Sequence, residues 1–254
     1  AIVAVGTTGE SPTVSVEEHA QLIRVAAEHC RGRVPVIAGT GANSTREAIE
    51  LTRHAFEVGV DASLQVAPYY NKPSQEGMFR HFTTVAQEGG LPVILYNVPG
   101  RTVADISNDT VLRLAANPNI IGIKDATGDV EQGLRRMEAT GLAYYSGDDG
   151  LNFAWLTHGA SGVISVAAHA DAHSWRQMIA AVDAGDLASA RTLARSLRPL
   201  VHAIMGGGQG AVMAKEALHL QGRLPSPALR LPLVRAEEAE VAALREVLAA
   251  SGLL

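Results

Sequence analysis

The chain of 254 residues contains little of what marks secreted, membrane-bound or nucleic-acid-binding proteins. Its one cysteine, Cys30, cannot form an intramolecular disulfide, and no cysteines and histidines have the spacing of zinc ligands. Lysine and arginine number 21 against 26 acidic residues, and the formal charge of −5 argues against a phosphate-binding face. No apolar run approaches the roughly 20 residues that cross a bilayer. We therefore expect a cytoplasmic protein without a metal, a nucleic-acid partner or a membrane partner.

What the sequence does contain is an alternation of short apolar runs and amphipathic segments. Hydrophobic residues make up 47% of the chain, enough for a substantial core, and the length suits a single α/β barrel. The apolar runs predict β-strands and the segments between them predict helices, so that the pattern indicates parallel βα units. The seven runs are, in order, AIVAVGTTG, VPVIAGTG, ASLQVAPYY, LPVILYNVP, IIGIKDATG, LAYYSGDD and GVISVAA.

Helices are predicted between the strands and, after residue 168, without further strands. Ser15 with Glu18 and Ser44 with Glu47 have the spacing of a capping box, in which a hydroxyl and a carboxylate satisfy reciprocal backbone donors. The stretch MGGGQG predicts a flexible connection between helices, since no strand precedes it and Lys215 lacks the spacing of a phosphate-binding loop. The predicted helices cover residues 16–31, 45–58, 77–88, 109–116, 130–139, 151–158, 174–184, 187–204, 211–220 and 237–250.

Polar residues stand at the carboxyl ends of the predicted strands. A closed barrel gathers such groups around one pocket, whereas an open sheet gathers them mainly at one switch point. The distribution favours a TIM (β/α)8-type barrel over residues 1–168, with C-terminal helices over 169–254 packed on it as a single structural unit. The strand-end residues are Thr7, Thr8, Thr40, Tyr69, Tyr70, Tyr96, Asn97, Lys124, Ser146, Asp148 and Ser165.

The number of predicted strands is one short of a closed barrel. Such a barrel has eight strands, and the seven runs imply that this chain lacks the first βα unit. A segment outside this chain, a shortened protein or a neighbouring element that fills the gap would each account for the difference.

Lys124 follows Ile123 near the end of the apolar run IIGIKDATGD. A strand-end lysine commonly extends its ammonium into solvent. In a desolvated pocket, however, its pKa falls from about 10.4, and the neutral amine can attack a carbonyl. The position therefore leaves two interpretations, a solvated lysine or a Schiff-base nucleophile.

Schiff-base chemistry needs a proton shuttle and a binding site for the acid group of the substrate. Tyr96, Tyr70 and Thr7 come from strand ends on one rim and can pass protons along a chain of hydroxyls, although a single tyrosine is more commonly a packing residue. The turn GTTGE offers hydroxyls and backbone N–H groups to a carboxylate, and Arg101 offers a bidentate guanidinium. An ordinary βα turn and a solvated arginine are the alternatives.

The chain resembles the dihydrodipicolinate synthase family, within the pyruvate-dependent aldolase superfamily that includes N-acetylneuraminate lyase. The resemblance covers nearly the whole chain and rests on GTTGES, VIAGTGAN, PYYNKPSQEG, LYNVPGRT, IIGIKDATGD, SGDD and GVISV, in this order. It implies an eightfold β/α barrel with a C-terminal helical extension. It also implies a lyase that condenses pyruvate with L-aspartate 4-semialdehyde to 4-hydroxy-tetrahydrodipicolinate, on the route to lysine and diaminopimelate.

The resemblance also implies roles for individual residues. Lys124 would form the Schiff base with pyruvate, so that no cofactor is needed. Tyr96, Thr7 and Tyr70 would relay protons, with Tyr70 contributed to a neighbouring subunit. Arg101 would bind the carboxylate of the semialdehyde, which favours the synthase over relatives that use sugar acids. The other substrate-binding residues would be Thr8, Gly147 and Ile164.

The resemblance further implies a homo-oligomer, a dimer of tight dimers, and a candidate lysine effector site. Family members that respond to lysine commonly have a histidine where this chain has Val16, so that feedback inhibition is not assumed. Two alternative functions are a related pyruvate aldolase acting on a sugar acid, such as N-acetylneuraminate or a 2-keto-3-deoxy acid, and a truncated inactive barrel serving as a structural subunit. The effector-site candidates are Ser11, His19, Asn43, Glu47 and Tyr69.

Overall fold

The computed structural model describes residues 1–206 and 209–254, and in these residues strands and helices alternate as the sequence predicts. Gly207 and Gly208, in the predicted glycine-rich connection, lie outside the described residues. The strands are β1 Ile2–Ala4, β2 Val36–Gly39, β3 Ala62–Val66, β4 Val93–Asn97, β5 Ile120–Asp125, β6 Ala143–Ser146 and β7 Gly162–Val163. The helices are α1 Val16–Cys30, α2 Thr45–Glu57, α3 Gln75–Glu88, α4 Pro99–Thr102, α5 Asn108–Ala115, α6 Val130–Thr140, α7 Asn152–Thr157, α8 Ala172–Asp183, α9 Leu187–Met205, α10 Gly210–Leu220 and α11 Glu238–Ala250.

Residues Ala1–Tyr145 form the first of two compact units. The strands hydrogen-bond side by side in chain order, and β1 to β5 all run parallel. Ile37 of β2, for example, pairs with Val3 of β1 on one side and Ala62 of β3 on the other. The carboxyl ends of these strands therefore lie along one edge of the sheet, where the polar strand-end residues of this unit are found.

Buried apolar side chains hold the helices of the first unit against the sheet. Ile23 and Ala27 of α1 pack in one cluster with Val36 and Ala38 of β2. Ile23 is fully buried, and burying an isoleucine side chain contributes about 1.5–3 kcal/mol. This packing, rather than intrinsic propensity, supplies most of the stability of such a helix.

The start of α1 has the predicted capping box. The Ser15 N–H donates to Glu18 Oε2 at 2.9 Å, and the Glu18 N–H donates to Ser15 Oγ at 3.2 Å. At the start of α2 the structure has the hydroxyl half of the motif, in which the Glu47 N–H donates to Ser44 Oγ at 3.4 Å. The spacing in the sequence therefore predicted both helix starts. It did not show which of the two glutamates would accept a hydrogen bond from the backbone N–H of its capping serine.

Residues Ser146–Leu254 form the second compact unit. The Ile164 N–H donates to the Ser146 carbonyl at 2.8 Å, and the chain then continues into α8 to α11 without a further strand among the described residues. The helices enclose a core that includes Trp175, Leu200 and Leu244. The predicted α/β architecture, with a parallel sheet followed by C-terminal helices, is thereby confirmed.

Candidate active site

Lys124 and Tyr96 lie next to each other on adjacent parallel strands. The register of β4 and β5 pairs Tyr96 with Lys124, and the Lys124 Nζ is 4.2 Å from the centroid of the Tyr96 ring. An ammonium at this distance from an aromatic face is stabilised by a cation–π interaction. The same pairing places the Lys124 amine close to the Tyr96 phenol. A phenol in this position can exchange protons with a substrate bound to the amine.

Burial strengthens the hold of the Tyr96 phenol on its proton. The side chain is only 7% exposed, and desolvation raises the pKa of its phenol, while the charge of Arg101 lowers this pKa. The phenol is therefore protonated at neutral pH and available as a proton donor. Arg101 is thus near enough for its positive charge to affect the pKa of the Tyr96 phenol.

Local geometry near the end of β5 fixes where Lys124 stands. A side chain at Gly122 would place its Cβ 2.7 Å from the Ala143 carbonyl oxygen, so that only glycine allows β6 to approach this closely. Lys124 is half-buried, whereas the next residue, Asp125, is buried with its carboxylate against Arg136. Because successive side chains of a strand point to opposite faces, the burial of Asp125 helps to fix the direction of Lys124.

Thr7 and Thr8 follow β1 in a short 3-10 turn, Thr7–Gly9, at the same edge of the sheet as Lys124. Thr7 is exposed and Thr8 is half-buried. The turn starts after Val5, which has φ of 51°, a left-handed conformation that is strained for a β-branched residue. Such strain is held only where surrounding contacts impose it, and it commonly occurs at ligand sites.

Tyr70 is the most exposed of the candidate residues. Its side chain is 87% exposed, and its φ of 74° lies in the left-handed region. Tyr69, beside it, is partly exposed. The structure thus places Tyr70 after β3, with its ring projecting into solvent from this chain.

Arg101 is exposed and lies in α4, a single turn of helix that directly follows β4. The sequence analysis did not predict this helix. The turn ends at Val103, which has φ of 57°. This left-handed conformation suits glycine and is strained for a β-branched residue such as valine. A strained backbone on the exit side of Arg101 indicates that contacts at the base of the turn hold the backbone that carries this residue.

Gly147 and Ile164 are the two candidate residues in the second unit. Gly147 directly follows β6, and Ile164 directly follows β7; both are half-buried. The carboxylate of Asp149 accepts hydrogen bonds from the Val166 and Ala167 N–H groups at 3.0 and 2.8 Å. Asp149 therefore holds the segment after Ile164 against the SGDD loop, a role that the sequence analysis did not predict.

The candidate effector residues lie in segments that contact one another. His19 is buried, and its Nε2 forms a 2.8 Å hydrogen bond with the Gly39 carbonyl. Asn43 Nδ2 donates to the Tyr69 carbonyl at 3.2 Å. Burial lowers the pKa of His19 and raises that of Tyr69, and the Glu47 charge opposes the first shift and adds to the second. Val16 is exposed, and Ser11 lies in the 3-10 turn Ser11–Thr13.

A buried polar network that was not predicted from the sequence lies next to Lys124 in the chain, at Asp125. Arg136 of α6 is fully buried, and its Nη1 lies 3.3 Å from Asp125 Oδ2. The neighbouring Arg135 is exposed and pairs with Glu131 instead. No signal in the sequence separates the two arginines, because either fits the polar side of an amphipathic helix.

The described ranges, 1–206 and 209–254, contain neither a cluster of metal ligands nor a helix suited to a membrane. No group of three or more His, Cys, Asp or Glu side chains there is arranged to hold a metal ion. No helix in these ranges combines the length and apolar character needed to cross a membrane.

A parallel α/β sheet with a lysine beside a tyrosine at its carboxyl edge is an arrangement that can support chemistry through a carbonyl-reactive amine. Residues 1–251 match the model of the Dihydrodipicolinate synthetase family, and the chain belongs to this family. The resemblance drawn from the sequence motifs is thereby confirmed.

Similar proteins agree with this assignment. The 4-hydroxy-tetrahydrodipicolinate synthase of Azoarcus sp. (strain BH72), a lyase, is 55% identical over 234 residues, which cover 91% of this chain and 80% of the relative. The chloride-inhibited dihydrodipicolinate synthase of Acinetobacter baumannii, solved with pyruvate, is 46% identical with a TM-score of 0.96, over 100% of this chain and 87% of that one. A dihydrodipicolinate synthase from Cyanidioschyzon merolae, solved with lysine bound, is 40% identical with a TM-score of 0.95, over 100% of this chain and 86% of that one.

Proposed function

We propose that the chain is a class I, Schiff-base lyase that condenses pyruvate with L-aspartate 4-semialdehyde to 4-hydroxy-tetrahydrodipicolinate. The observation that carries this proposal is the Lys124 amine 4.2 Å from the Tyr96 ring centroid, in a member of the family. The names of the similar synthases and the pyruvate complex of the Acinetobacter relative support the choice of substrates. The product belongs to lysine and diaminopimelate biosynthesis.

Lys124 acts as the nucleophile in this proposal. Its neutral amine attacks C2 of pyruvate, and loss of water from the carbinolamine gives an iminium. A proton then leaves C3, and the iminium accepts the electron pair that remains, which gives an enamine. C3 of the enamine attacks the aldehyde carbon of the semialdehyde, and this step restores the iminium at C2. The semialdehyde amino group finally attacks C2, which closes the ring and releases the Lys124 amine. The covalent adduct is itself the electron sink, so that no external cofactor is needed.

Tyr96 acts as the proton donor and acceptor nearest to the amine. Its protonated phenol supplies the proton with which the carbinolamine hydroxyl leaves as water, and the phenolate then takes a proton back. Thr7 and Tyr70 extend this relay towards solvent. The exposure of Tyr70 in a single chain supports its use in the site of a neighbouring subunit.

Arg101 binds the carboxylate of the semialdehyde, and Thr8, Gly147 and Ile164 complete the substrate-binding set. Replacing Arg101 with Ala should raise the KM for the semialdehyde about 10- to 100-fold, because a charge-assisted hydrogen bond is lost. Borohydride should still trap pyruvate on the variant, since the guanidinium does not take part in forming the imine. An unchanged KM for the semialdehyde would remove Arg101 from this role.

A turnover assay with both substrates tests the proposed function. The purified chain should consume pyruvate and aspartate semialdehyde together and form the cyclic product. Pyruvate trapping without semialdehyde consumption, combined with cleavage of a keto-sugar acid, would favour the sugar-acid aldolase instead. A folded chain that neither traps pyruvate nor turns over would favour the structural subunit.

The proposed assembly is a homo-oligomer, a dimer of tight dimers, in which Tyr70 crosses the tight interface. The Lys124→Ala and Tyr70→Phe variants should each be inactive alone. After subunit exchange in an equal mixture of the two variants, about a quarter of the wild-type activity should return. Half of randomly paired dimers are mixed, and each mixed dimer has one complete site. A mixture without recovery, from subunits shown by mass to exchange, would contradict a shared site.

The residues Ser11, His19, Asn43, Glu47 and Tyr69 are the proposed lysine site. The relative solved with lysine bound supports lysine as a ligand in this family, and the Glu47 carboxylate would supply charge for its ammonium group. With Val16 in place of histidine, binding need not lead to inhibition. Calorimetric titration with lysine tests binding, and initial rates at the same lysine concentrations test inhibition separately.

The finer architecture and the location of the protein are also proposals. Residues 1–168 would supply the second to eighth strands of a TIM (β/α)8-type barrel, and residues 169–254 its C-terminal helical extension. The TM-scores of 0.95 and 0.96 to synthase structures support this assignment. The proposed location is the cytoplasm, because the low cysteine content suits a reducing compartment.

A further inference from the structure

The side chain of Asn97 closes the base of the turn that carries Arg101. Asn97 is fully buried at the end of β4, directly after Tyr96. Its Nδ2 donates to Asp105 Oδ1 at 2.7 Å, and its Oδ1 accepts the Ile106 N–H at 3.2 Å. One amide therefore holds the far end of the turn at residues 105 and 106 against the strand from which the turn starts.

Contacts inside the turn also resist a change of shape. The Thr102 hydroxyl donates to the Ala104 carbonyl at 2.8 Å, across the left-handed Val103. Val103 is largely exposed, so its own side-chain packing cannot impose this conformation. The clamp at Asn97 and the Thr102 hydroxyl together hold the strained turn that carries Arg101.

Asp105 connects this clamp to the buried polar network next to Lys124. Its Oδ1 lies 3.9 Å from Arg136 Nη2, and Arg136 Nη1 lies 3.3 Å from Asp125 Oδ2. Asp125 directly follows Lys124 and also accepts the Thr127 hydroxyl at 2.7 Å. The Arg101 turn and the Lys124 strand are therefore tied to one buried guanidinium.

The different environments of the two carboxylates suggest which of them is suited to a specific role. Asp125 is fully buried with Arg136, so that removing either partner leaves an unpaired buried charge and endangers the fold. The Asp105 side chain is 48% exposed, and its loss leaves no such charge without a partner, since Arg136 keeps Asp125 and also donates to Asn108 at 2.6 Å. Changing Asp105 removes the acceptor of the neutral Asn97 amide, at a cost in stability, but it leaves no buried charge unpaired, and we expect the fold to be retained.

We propose that Asp105 is a positioning residue that sets the location of Arg101 for the second substrate, acting through Asn97 and Arg136. The inference rests on the proposed role of Arg101 as the ligand of the semialdehyde carboxylate. Asp105 does not touch the reacting atoms. Its effect falls on the turn between β4 and residue 106, whereas Lys124 keeps its strand, its contact with Tyr96 and the anchor at Asp125.

Kinetics of Asp105→Ala and Asp105→Asn test this role. The alanine variant should raise the KM for the semialdehyde about tenfold, as expected for loss of a positioning hydrogen bond. The KM for pyruvate and the extent of borohydride trapping should not change. Asparagine keeps an oxygen acceptor for the Asn97 amide and should restore most of the loss. Asp109→Ala, which removes an exposed charge from the first turn of α5, is the matched control.

Hydrogen exchange supplies a readout that does not depend on turnover. Exchange of the Ile106 amide should become faster in Asp105→Ala and remain unchanged in Asp109→Ala. Unchanged exchange, an unchanged KM for the semialdehyde, or an equal rise in both KM values would each overturn the positioning role. If the wild-type chain does not consume the semialdehyde, the proposed function has failed, and faster Ile106 exchange would then support only the clamp.

Discussion

At the scale of single residues, the pairing of Lys124 with Tyr96 is the central feature. The sequence predicted a phenol near the amine because the two side chains end consecutive strands, and the register of β4 with β5 brings them side by side. This is the kind of contact that a sequence can predict, since parallel neighbouring strands joined by a helical crossover have their carboxyl ends at the same edge of the sheet. Burial raises the pKa of this phenol further above neutral pH, and the extent of that burial is known only from the structure.

Tyr96→Phe should slow turnover by about 10²- to 10⁴-fold, the range for loss of a general acid or base. The fold should be retained, because the ring stays in its apolar cluster and only the hydroxyl is removed. Steady-state kinetics and thermal melting check this expectation. Tyr145→Phe, the same change on a tyrosine packed on the same cluster, is the control and should leave turnover near wild type.

The burial of Arg136 could not be predicted from the sequence. Arg135 and Arg136 are consecutive in the polar part of a helix pattern, yet one pairs on the surface and the other is fully buried. A buried arginine is uncommon unless it is paired, and its partners Asp125 and Asp105 are 11 and 31 positions away. No local pattern connects these residues, because their proximity is a result of the fold.

At the scale of elements, boundaries followed from local chemistry where a cap was present. Helix α1 begins at the predicted residue after Ser15, and α2 begins after Ser44. Helix α3 begins two residues before the predicted start, because Ser74 is its cap, with its Oγ accepting the Gly77 N–H. Helix α4 was missed because four residues that include proline and glycine are too few to show helical periodicity.

The capping box at α1 gives a prediction about stability. Ser15→Ala should lower the free energy of unfolding by about 1 kcal/mol, because the Glu18 N–H loses its acceptor. Chemical denaturation of the wild type and the variant measures this difference. Ser196→Ala in the middle of α9, where the hydroxyl only donates to the Leu193 carbonyl, is the control. Equal effects of the two changes would contradict a specific contribution from the cap.

At the scale of the whole molecule, the sequence predicted the order of the strands better than their assembly. Alternating strands and helices require crossover connections, and these lead to the observed parallel order β1 to β5. Closure into a barrel depends on tilt and stagger between strands, which leave no mark in composition or periodicity. The strands and their order were therefore predictable from the sequence alone, whereas the barrel was inferred indirectly, from the polar residues at the strand ends and from the family resemblance.

Stability should depend on pH through the buried His81. Burial lowers the pKa of its imidazole from 6.5 to about 4, so that between these values the unfolded chain binds a proton that the folded chain does not. Stability from this group is present above pH 6.5 and is lost as the pH falls towards 4, by on the order of 3 kcal/mol at most. Burial raises the pKa of Asp125, which acts in the opposite direction just above its usual value of 3.8.

Denaturation at pH 7 and pH 5 measures the contribution of His81. The loss of stability on acidification should be smaller in His81→Gln than in the wild type. His173→Gln, a change at an exposed position of α8, is the matched control and should retain the wild-type loss. An identical loss in His81→Gln and the wild type would show that another group causes the acid sensitivity.

The most direct test of the account is borohydride trapping of pyruvate followed by peptide mass mapping. The reduced adduct should lie on the peptide that contains Lys124, in the wild type and in Tyr96→Phe. It should be absent from a folded Lys124→Ala variant, whose turnover should fall by on the order of 10³-fold or more, as expected for loss of a nucleophile. An adduct on a different lysine, or no adduct on a folded and active wild-type chain, would contradict the assignment of Lys124.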